Sequence, residues 1–355
     1  MFVFAGGGTG GHVVPALAVA GELRRRGHEA LFIGTERGME AQLAPRAGFP
    51  IEWIEIGGLQ GVGLGRALRT VSQLPPSVLR SRAILRGRGA TAVFSMGGYV
   101  AAPVMMAAML RGTPMVIMEP NAVPGLVARR MSRFVRRALV AFEEARRYFP
   151  KGRSEVCGLP VRKEFFEVGE RDTNAAFTVL LTGGSQGSRA LNRIARVCWP
   201  LLKRTLPGMR WIHQSGPAEF ETMGRAFTES GLDGYVTPFI EDMAGAYAGA
   251  DLIVGRSGAG AIAEIAAAGR PAVLVPFPFA ADDHQRHNAE ALERVGAAIV
   301  MTEDRLTVER FCDAIGALAK DPERRQRMGR CARSMAREGT AERAADVLEE
   351  VAAAR

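Results

Sequence analysis

Short apolar runs, glycine- or polar-marked turns and longer helical stretches follow one another along the whole chain. The runs at 2–5, 30–33, 51–56, 91–95, 114–118 and 138–141 predict strands in the first half. Those at 177–182, 209–213, 235–238, 250–254, 272–276 and 298–301 predict strands in the second. Helices are expected between them near 15–26, 102–111, 124–132, 188–205, 243–248, 259–268, 284–295, 307–319 and 322–336. Strand and helix in alternation argue for an α/β fold of parallel sheets flanked by helices.

The first strand, Phe2-Val3-Phe4, runs into Gly6-Gly7-Gly8-Thr9-Gly10-Gly11-His12, with Pro15 expected to open the helix behind it. Glycines let the backbone approach a ligand closely, and a helix N-terminus offers unpaired N–H groups and a positive dipole end. Gly6, Gly8 and Gly11 also satisfy the dinucleotide pattern G-x-G-x-x-G. That pattern needs an acidic residue at the end of the second strand to hold a ribose, whereas this strand ends in Gly34-Thr35. His12 at the rim of such a loop adds a group that exchanges a proton near neutral pH.

Val179-Leu180-Leu181-Thr182-Gly183-Gly184-Ser185-Gln186-Gly187 repeats the same strand-then-glycine opening half a chain later. Two Rossmann-like domains in tandem are the expectation, 1–158 and 159–337, joined near Gly158-Leu159-Pro160. Residues 338–355 would form a last helix packing back on the first domain. A pair of this kind places its site in a cleft facing the carboxyl ends of both sheets.

The chain has 355 residues, 47% of them hydrophobic and 23% charged, which suits two globular domains with ordinary cores. No run reaches the roughly 18–20 apolar residues of a membrane span, and the N-terminus lacks the basic start of a secretory signal. A cytoplasmic location follows as the expectation. Cys157, Cys198, Cys312 and Cys331 are far apart and read as reduced thiols. Charge is uneven: residues 1–150 carry 19 Arg and nine Glu with no Lys or Asp, a balance of +10 within a total of +9. An anionic partner for the first half is implied.

Two further constellations stand in the second half. Asp251-Leu-Ile-Val-Gly-Arg256-Ser257-Gly258-Ala259-Gly260 reads as a strand, a tight turn and a helix start, hence a second phosphate cradle with N–H groups from Ser257 to Gly260 aimed outward. Glu264, about one turn inside that helix, suits either ribose hydroxyls or the helix dipole. Asp282-Asp283-His284-Gln285-Arg286-His287-Asn288 follows the next strand and suits sugar hydroxyls, or an ordinary capped helix start. No Asp-x-Asp stands on a cleft loop and no His/Cys cluster has ligand spacing. Neither a metal nor another cofactor is expected.

Together with Met96-Gly97-Gly98-Tyr99, Asn121-Ala122-Val123-Pro124-Gly125, Pro160-Val161-Arg162, Glu264-Ile265-Ala266-Ala267-Ala268-Gly269 and His284-Gln285-x-x-Asn288-Ala289, these blocks resemble the MurG family of bacterial peptidoglycan glycosyltransferases, in glycosyltransferase family 28. The resemblance covers essentially the whole chain. It implies a GT-B fold and inverting transfer of N-acetylglucosamine from UDP-GlcNAc to the C4 hydroxyl of the muramoyl sugar of lipid I, giving lipid II.

By the same resemblance His12 is the general base and Tyr99 lines the acceptor side. Thr9, Gly10, Gly11, Asn121, Arg162, Ser185, Ile240, Ser257, Gly258, Ala259, Glu264, His284 and Gln285 would bind the donor. Arg162 and Ser185 would meet the diphosphate, the backbone of Ile240 the uracil, Glu264 the ribose, and His284, Gln285 and Asn121 the sugar. The chain departs from the family at Met118-Glu119-Pro120-Asn121, where His-Glu-Gln-Asn is usual, and at Leu159, where Asn is usual.

The basic half then gains a candidate partner. Within 62–88, Leu64, Leu68, Val71, Val78 and Leu85 fall near helical spacing, interrupted by Pro75-Pro76 and interleaved with Arg66, Arg69, Arg80, Arg82, Arg86 and Arg88. Arg129, Arg130, Arg133, Arg136 and Arg137 surround Met131 and Phe134. Apolar side chains mixed with arginine suit an anionic membrane surface, and few aromatics interleave as nucleic acid would need. A peripheral enzyme on the cytoplasmic face of the inner membrane, near the cell-wall synthesis or division machinery, is expected. The rivals are a GT-B transferase with another acceptor, a UDP-GlcNAc 2-epimerase, and a nucleotide-sugar binding module without activity.

Overall fold

Thirteen strands among the described residues form two sheets, and every neighbouring pair in them is parallel. The computed structural model describes residues 1–58, 64–172 and 175–354. They divide into two units, Met1–Pro160 with Gly339–Arg355, and Val161–Glu338.

In unit 1 the strands are β1 (Phe2–Gly6), β2 (Ala30–Gly34), β3 (Ile51–Trp53), β4 (Ala92–Gly97), β5 (Met115–Glu119), β6 (Arg137–Val140) and β7 (Ser154–Val156). Their order across the sheet is β3-β2-β1-β4-β5-β6-β7. The helices are α1 (Gly10–Arg25), α2 (Glu40–Arg46), α3 (Leu64–Gly87), α4 (Ala101–Arg111) and α5 (Leu126–Met131). All residues of β1, β2, β4 and β5 are buried, because helices cover both faces of a parallel sheet. Phe4 pairs in register with Phe32 and Phe94, and its ring lies 5.1 and 5.3 Å from theirs, one aromatic row across three strands.

Unit 2 contains β8 (Thr178–Thr182), β9 (Arg210–Gln214), β10 (Asp233–Thr237), β11 (Leu252–Gly255), β12 (Ala272–Leu274) and β13 (Ala298–Val300), in the order β10-β9-β8-β11-β12-β13. Its helices are α6 (Lys163–Phe166), α7 (Arg189–Thr205), α8 (Phe220–Ser230), α9 (Met243–Ala248), α10 (Ala259–Ala268), α11 (His284–Arg294), α12 (Val308–Lys320) and α13 (Pro322–Met335).

The last helix, α14 (Thr340–Ala353), returns to unit 1. Arg26, at the end of α1, binds Asp346 at 2.6 Å and Glu349 at 2.7 Å, while also holding Glu22 at 2.7 Å. The Thr340 hydroxyl donates to the carbonyl of Cys157, and Arg343 grips Glu155 through two nitrogens at 2.7 and 2.9 Å.

Two prolines do not act as their positions suggest. The helix expected to open at Pro15 begins at Gly10, where the Thr9 carbonyl accepts the N–H groups of His12 and Val13. Pro15 lies inside α1 and only removes one donor, that to the carbonyl of Gly11. Likewise α3 continues through Pro75-Pro76 instead of breaking there. Beyond the prolines Val78, Ser81, Ile84 and Leu85 are buried on unit 1, which anchors the helix despite two missing donors. Val78 and Leu85 therefore belong to the core and not to an outward face. Val71 and Leu79 are exposed, at 57% and 65%. Residues 62–63 and the side chains of Leu64, Arg66, Leu68 and Arg69 lie outside the described residues.

Candidate active site

A parallel sheet binds ligands where its strand order reverses, since the loops on either side of that point diverge and leave a crevice. In unit 1 the reversal lies between β1 and β4, and the two loops there are Gly7–Thr9 and Gly98–Val100. In unit 2 it lies between β8 and β11, with the loops Gly183–Ser188 and Arg256–Gly258. Four of the glycine-bearing blocks singled out from the sequence, those at Gly6, Gly97, Gly183 and Gly258, fall at these two points.

The unit 1 loops pack on each other through glycine. A Cβ at Gly98 would lie 3.3 Å from the Gly7 carbonyl and 3.4 Å from Nδ1 of His12, and one at Gly8 would meet the Tyr99 ring at 2.9 Å. Both glycines have positive φ, 77° and 89°. His12 is half-buried in the first turn of α1, with Nδ1 3.4 Å from the Gly7 carbonyl and 3.4 Å from Oγ1 of Thr9. Tyr99 and His12 thus flank one pair of loops. Thr9 caps the helix from an exposed position, and Gly10 and Gly11 form its first turn.

Glu40 was not anticipated from the sequence. Its side chain is fully buried under the first loop, where Oε2 accepts the Gly8 N–H at 2.8 Å. Oε1 accepts the Thr35 N–H at 2.9 Å and its hydroxyl at 3.0 Å. Added Cβ atoms at Gly7, Gly34 and Gly38 would all collide with this side chain, at 2.4, 2.4 and 2.0 Å.

Asn121, just beyond β5, donates through both its backbone and side-chain nitrogens to Oε1 of Glu119, at 3.0 and 3.3 Å. Burial pushes the Glu119 carboxyl up to about 7, against these hydrogen bonds and that from the Gly125 N–H. This is a second buried acid at the carboxyl end of a unit 1 strand.

In unit 2 the loop Gly183–Ser188 is exposed at Ser185 and docks on the turn after β9. A Cβ at Gly187 would lie 1.9 Å from the Ser215 carbonyl, so no other residue fits there. Gln214 bridges three parts of the site: Nε2 donates to the Gly184 carbonyl at 2.8 Å, and Oε1 accepts the N–H of Ile240 at 2.9 Å. The Ile240 amide is therefore already engaged, which makes its carbonyl the candidate ligand contact.

Ser257 departs from expectation. Its N–H does not point outward: it donates to Oε1 of Gln285 at 3.3 Å, and its hydroxyl donates to the Gln285 carbonyl at 2.7 Å. The Phe277 N–H also donates to Gln285 Oε1, and Asn288 Nδ2 reaches the Ser257 carbonyl. The side chains of Gln285 and Asn288 thus order the β11–α10 turn, and the outward face of the cradle begins at Gly258 and Ala259, the cap and first residue of α10. Arg256 is likewise committed, to Glu303 at 2.6 Å and to the carbonyls of Val275 and Pro276.

Asp282 and Asp283 both have left-handed backbones, φ 52° and 51°, an unusual pair for non-glycine residues and one that carries strain. This turn sets His284 at the start of α11, with Nδ1–H donated to the Ala281 carbonyl at 2.7 Å. Its Nε2 is the atom presented outward. Glu264, in the middle of α10, is pushed up to about 7 by burial, with the Arg162 charge opposing. That opposition brings Arg162 and Glu264 into one electrostatic neighbourhood. Among the described residues no three His, Cys, Asp or Glu side chains gather to hold a metal.

The glycosyltransferase family 28 N-terminal domain matches residues 2–140, and the family's C-terminal domain matches residues 178–349. A UDP-N-acetylglucosamine–N-acetylmuramyl-(pentapeptide) pyrophosphoryl-undecaprenol N-acetylglucosamine transferase of Solibacter usitatus is 53% identical, over 99% of this chain and 96% of its own length. The transferase of the same name from Halorhodospira halophila is 43% identical over 98% and 97%. The crystal structure of Acinetobacter baumannii MurG superposes with a TM-score of 0.85 at 31% identity, covering 98% of this chain and 99% of that one. The chain belongs to glycosyltransferase family 28 and, within it, to the MurG family of GT-B enzymes.

Proposed function

We propose that this protein transfers N-acetylglucosamine from UDP-GlcNAc to the muramoyl-pentapeptide of undecaprenyl-linked lipid I, with inversion at the anomeric carbon. The observation that carries the substrates is the 53% identity, end to end, with the Solibacter transferase of that name. The two crevices give the reading its chemistry. Unit 2 takes the donor: the Ile240 carbonyl receives the uracil N3–H, the Glu264 carboxylate receives the ribose hydroxyls, and His284 and Gln285 hold the sugar. The N-terminus of α10 at Gly258 and Ala259, the Ser185 loop and Arg162 offset the charge that grows on the departing diphosphate.

Unit 1 takes the acceptor. His12 removes the C4 hydroxyl proton as that oxygen attacks the anomeric carbon, and the electron pair of the breaking bond leaves with UDP. General-base help of this kind is worth about 10²–10⁴ in rate. Tyr99 lines the same loops.

No described helix is long and apolar enough to cross a membrane. Peripheral attachment to the cytoplasmic face of the inner membrane, beside the cell-wall machinery, is the part of the proposal carried by unit 1. Phe134 and Leu126 are exposed there, at 39% and 42%, among the exposed arginines Arg130, Arg133 and Arg136.

The test is an assay with UDP-GlcNAc and a lipid I analogue. Disaccharide product and UDP should appear only when both are present. UDP or free N-acetylmannosamine released without acceptor would instead mark an epimerase.

A further inference from the structure

The Glu40 carboxylate and the His12 imidazole meet the same peptide group from opposite ends. Oε2 of Glu40 accepts the N–H of Gly8 at 2.8 Å, and the carbonyl of that peptide unit, on Gly7, lies 3.4 Å from Nδ1 of His12. A carbonyl oxygen can only accept, so Nδ1 carries the proton in this contact and Nε2 keeps its lone pair. A buried anion at the N–H end polarises the peptide and strengthens its carbonyl as an acceptor. We propose that Glu40 is the positioning residue of His12, acting through the Gly7–Gly8 peptide to hold the imidazole in the tautomer that accepts a proton at Nε2.

The surroundings are shaped around this carboxylate. Gly7, Gly34 and Gly38 give up their Cβ positions to this one side chain. The Thr35 hydroxyl donates to Oε1, so its contact with Tyr99 at 3.4 Å has the tyrosine as donor, and the chain of bonds from the carboxylate also orients Tyr99. With the Gly8 N–H engaged from below and a carboxylate beneath the loop, this crevice favours an imidazole that becomes positive as it takes the proton.

The proposal rests on His12 as the base, and its test separates the two. Glu40→Gln preserves shape and removes the charge. Glu40 on α2 and Tyr99 before α4 are titratable side chains against this loop, and Tyr99 is retained. We expect Glu40→Gln to bind UDP-GlcNAc with wild-type affinity and to lose kcat by about tenfold or more, as for removal of an orienting partner. The acid limb of its pH–rate profile should move to lower pH, because the imidazolium loses a stabilising anion.

A kcat within twofold of wild type, or a reduced kcat with an unmoved limb, would overturn the proposal. A near-normal His12→Ala would remove the base itself, whereas an inactive His12→Ala beside a normal Glu40→Gln would remove only the role of Glu40. Should Glu40→Gln fail to fold, the nitrogen-15 shifts of His12 in the wild-type protein decide: the Nδ1–H tautomer supports the relay, and the Nε2–H tautomer overturns it.

Discussion

Glu264 and Gln285 show how single residues of the donor side divide the work. The Glu264 carboxyl is lifted to about 7, well above the usual carboxylate range, because burial penalises its charge. Ribose hydroxyls that donate to it favour the ionised form, so ligand binding works against protonation. UDP-GlcNAc affinity should hold above about pH 7 and weaken as pH falls below it, by up to about tenfold per pH unit. Glu264→Gln should bind more weakly and show no such slope, measured by calorimetric titration from pH 5.5 to 8.5; an unchanged slope would remove this role. Gln285 is partly scaffold, since Oε1 takes the amides of both Ser257 and Phe277. Gln285→Ala leaves the part-buried Ser257 N–H without this acceptor, a cost of about 1–3 kcal/mol, while the exposed Phe277 N–H turns to water. We expect a lower melting temperature together with weaker donor binding, and a fall in affinity with unchanged stability would contradict the scaffold role.

At this scale the sequence was readable in part. His12 stands out because the glycine loop before it marks it, whereas Tyr99 and Arg162 stand out only through the family resemblance. Glu40 and Gln214 do not, because what matters about them is a contact 32 residues away in one case and a bridge from β8 to Ile240 in the other. The same holds for Ser257, whose amide was read as outward-facing and is turned inward by a side chain 28 positions on.

Among elements, strands were the most legible, since a strand buried on both faces must be a continuous apolar run. All the expected runs lie on strands, with ends displaced by a few residues. The helices α2, α6 and α8 were missed: α2 and α6 have only seven and four residues, too few for a periodic pattern. Pro15 and Pro75-Pro76 misled for one reason, that burial of a helix face outweighs the loss of one or two backbone donors.

The helix α14 is held by its buried face, Ala344, Ala345, Val347, Leu348 and Val351, and Arg26 adds charge contacts to Asp346 and Glu349. Arg26→Met should lower stability by about 1 kcal/mol, the range of partly exposed ion pairs, because Asp346 loses this partner while Glu22 keeps Arg25 and Glu349 keeps His28. A melting curve unchanged by the substitution would show that α14 is held by its other contacts alone. The α5 region invites a different test. Reversing Arg130, Arg133 and Arg136 to Glu should weaken binding to anionic vesicles by about a hundredfold or more, at roughly 1 kcal/mol for each positive charge lost near the surface. Equal binding of wild type to neutral and anionic vesicles would remove the electrostatic account of attachment.

For the whole molecule, two sheets of the same design carry opposite chemistry. The unit 2 crevice begins at the positive end of α10 and has Arg162 near it, which suits a diphosphate. The unit 1 crevice has a histidine on a loop underlain by the buried Glu40, which suits proton transfer. The sequence echo of strand and glycine loop made both crevices visible. It could not tell them apart, because the difference lies in what is buried beneath each loop.

That division of labour is tested most directly by His12→Ala, with UDP-GlcNAc binding and single-turnover transfer to a lipid I analogue measured on the same preparation. Donor affinity should match the wild type while transfer slows by about 10²-fold or more. Transfer at near wild-type rate, or loss of donor binding in step with loss of transfer, would contradict an acceptor-side base in unit 1 working on a donor held by unit 2.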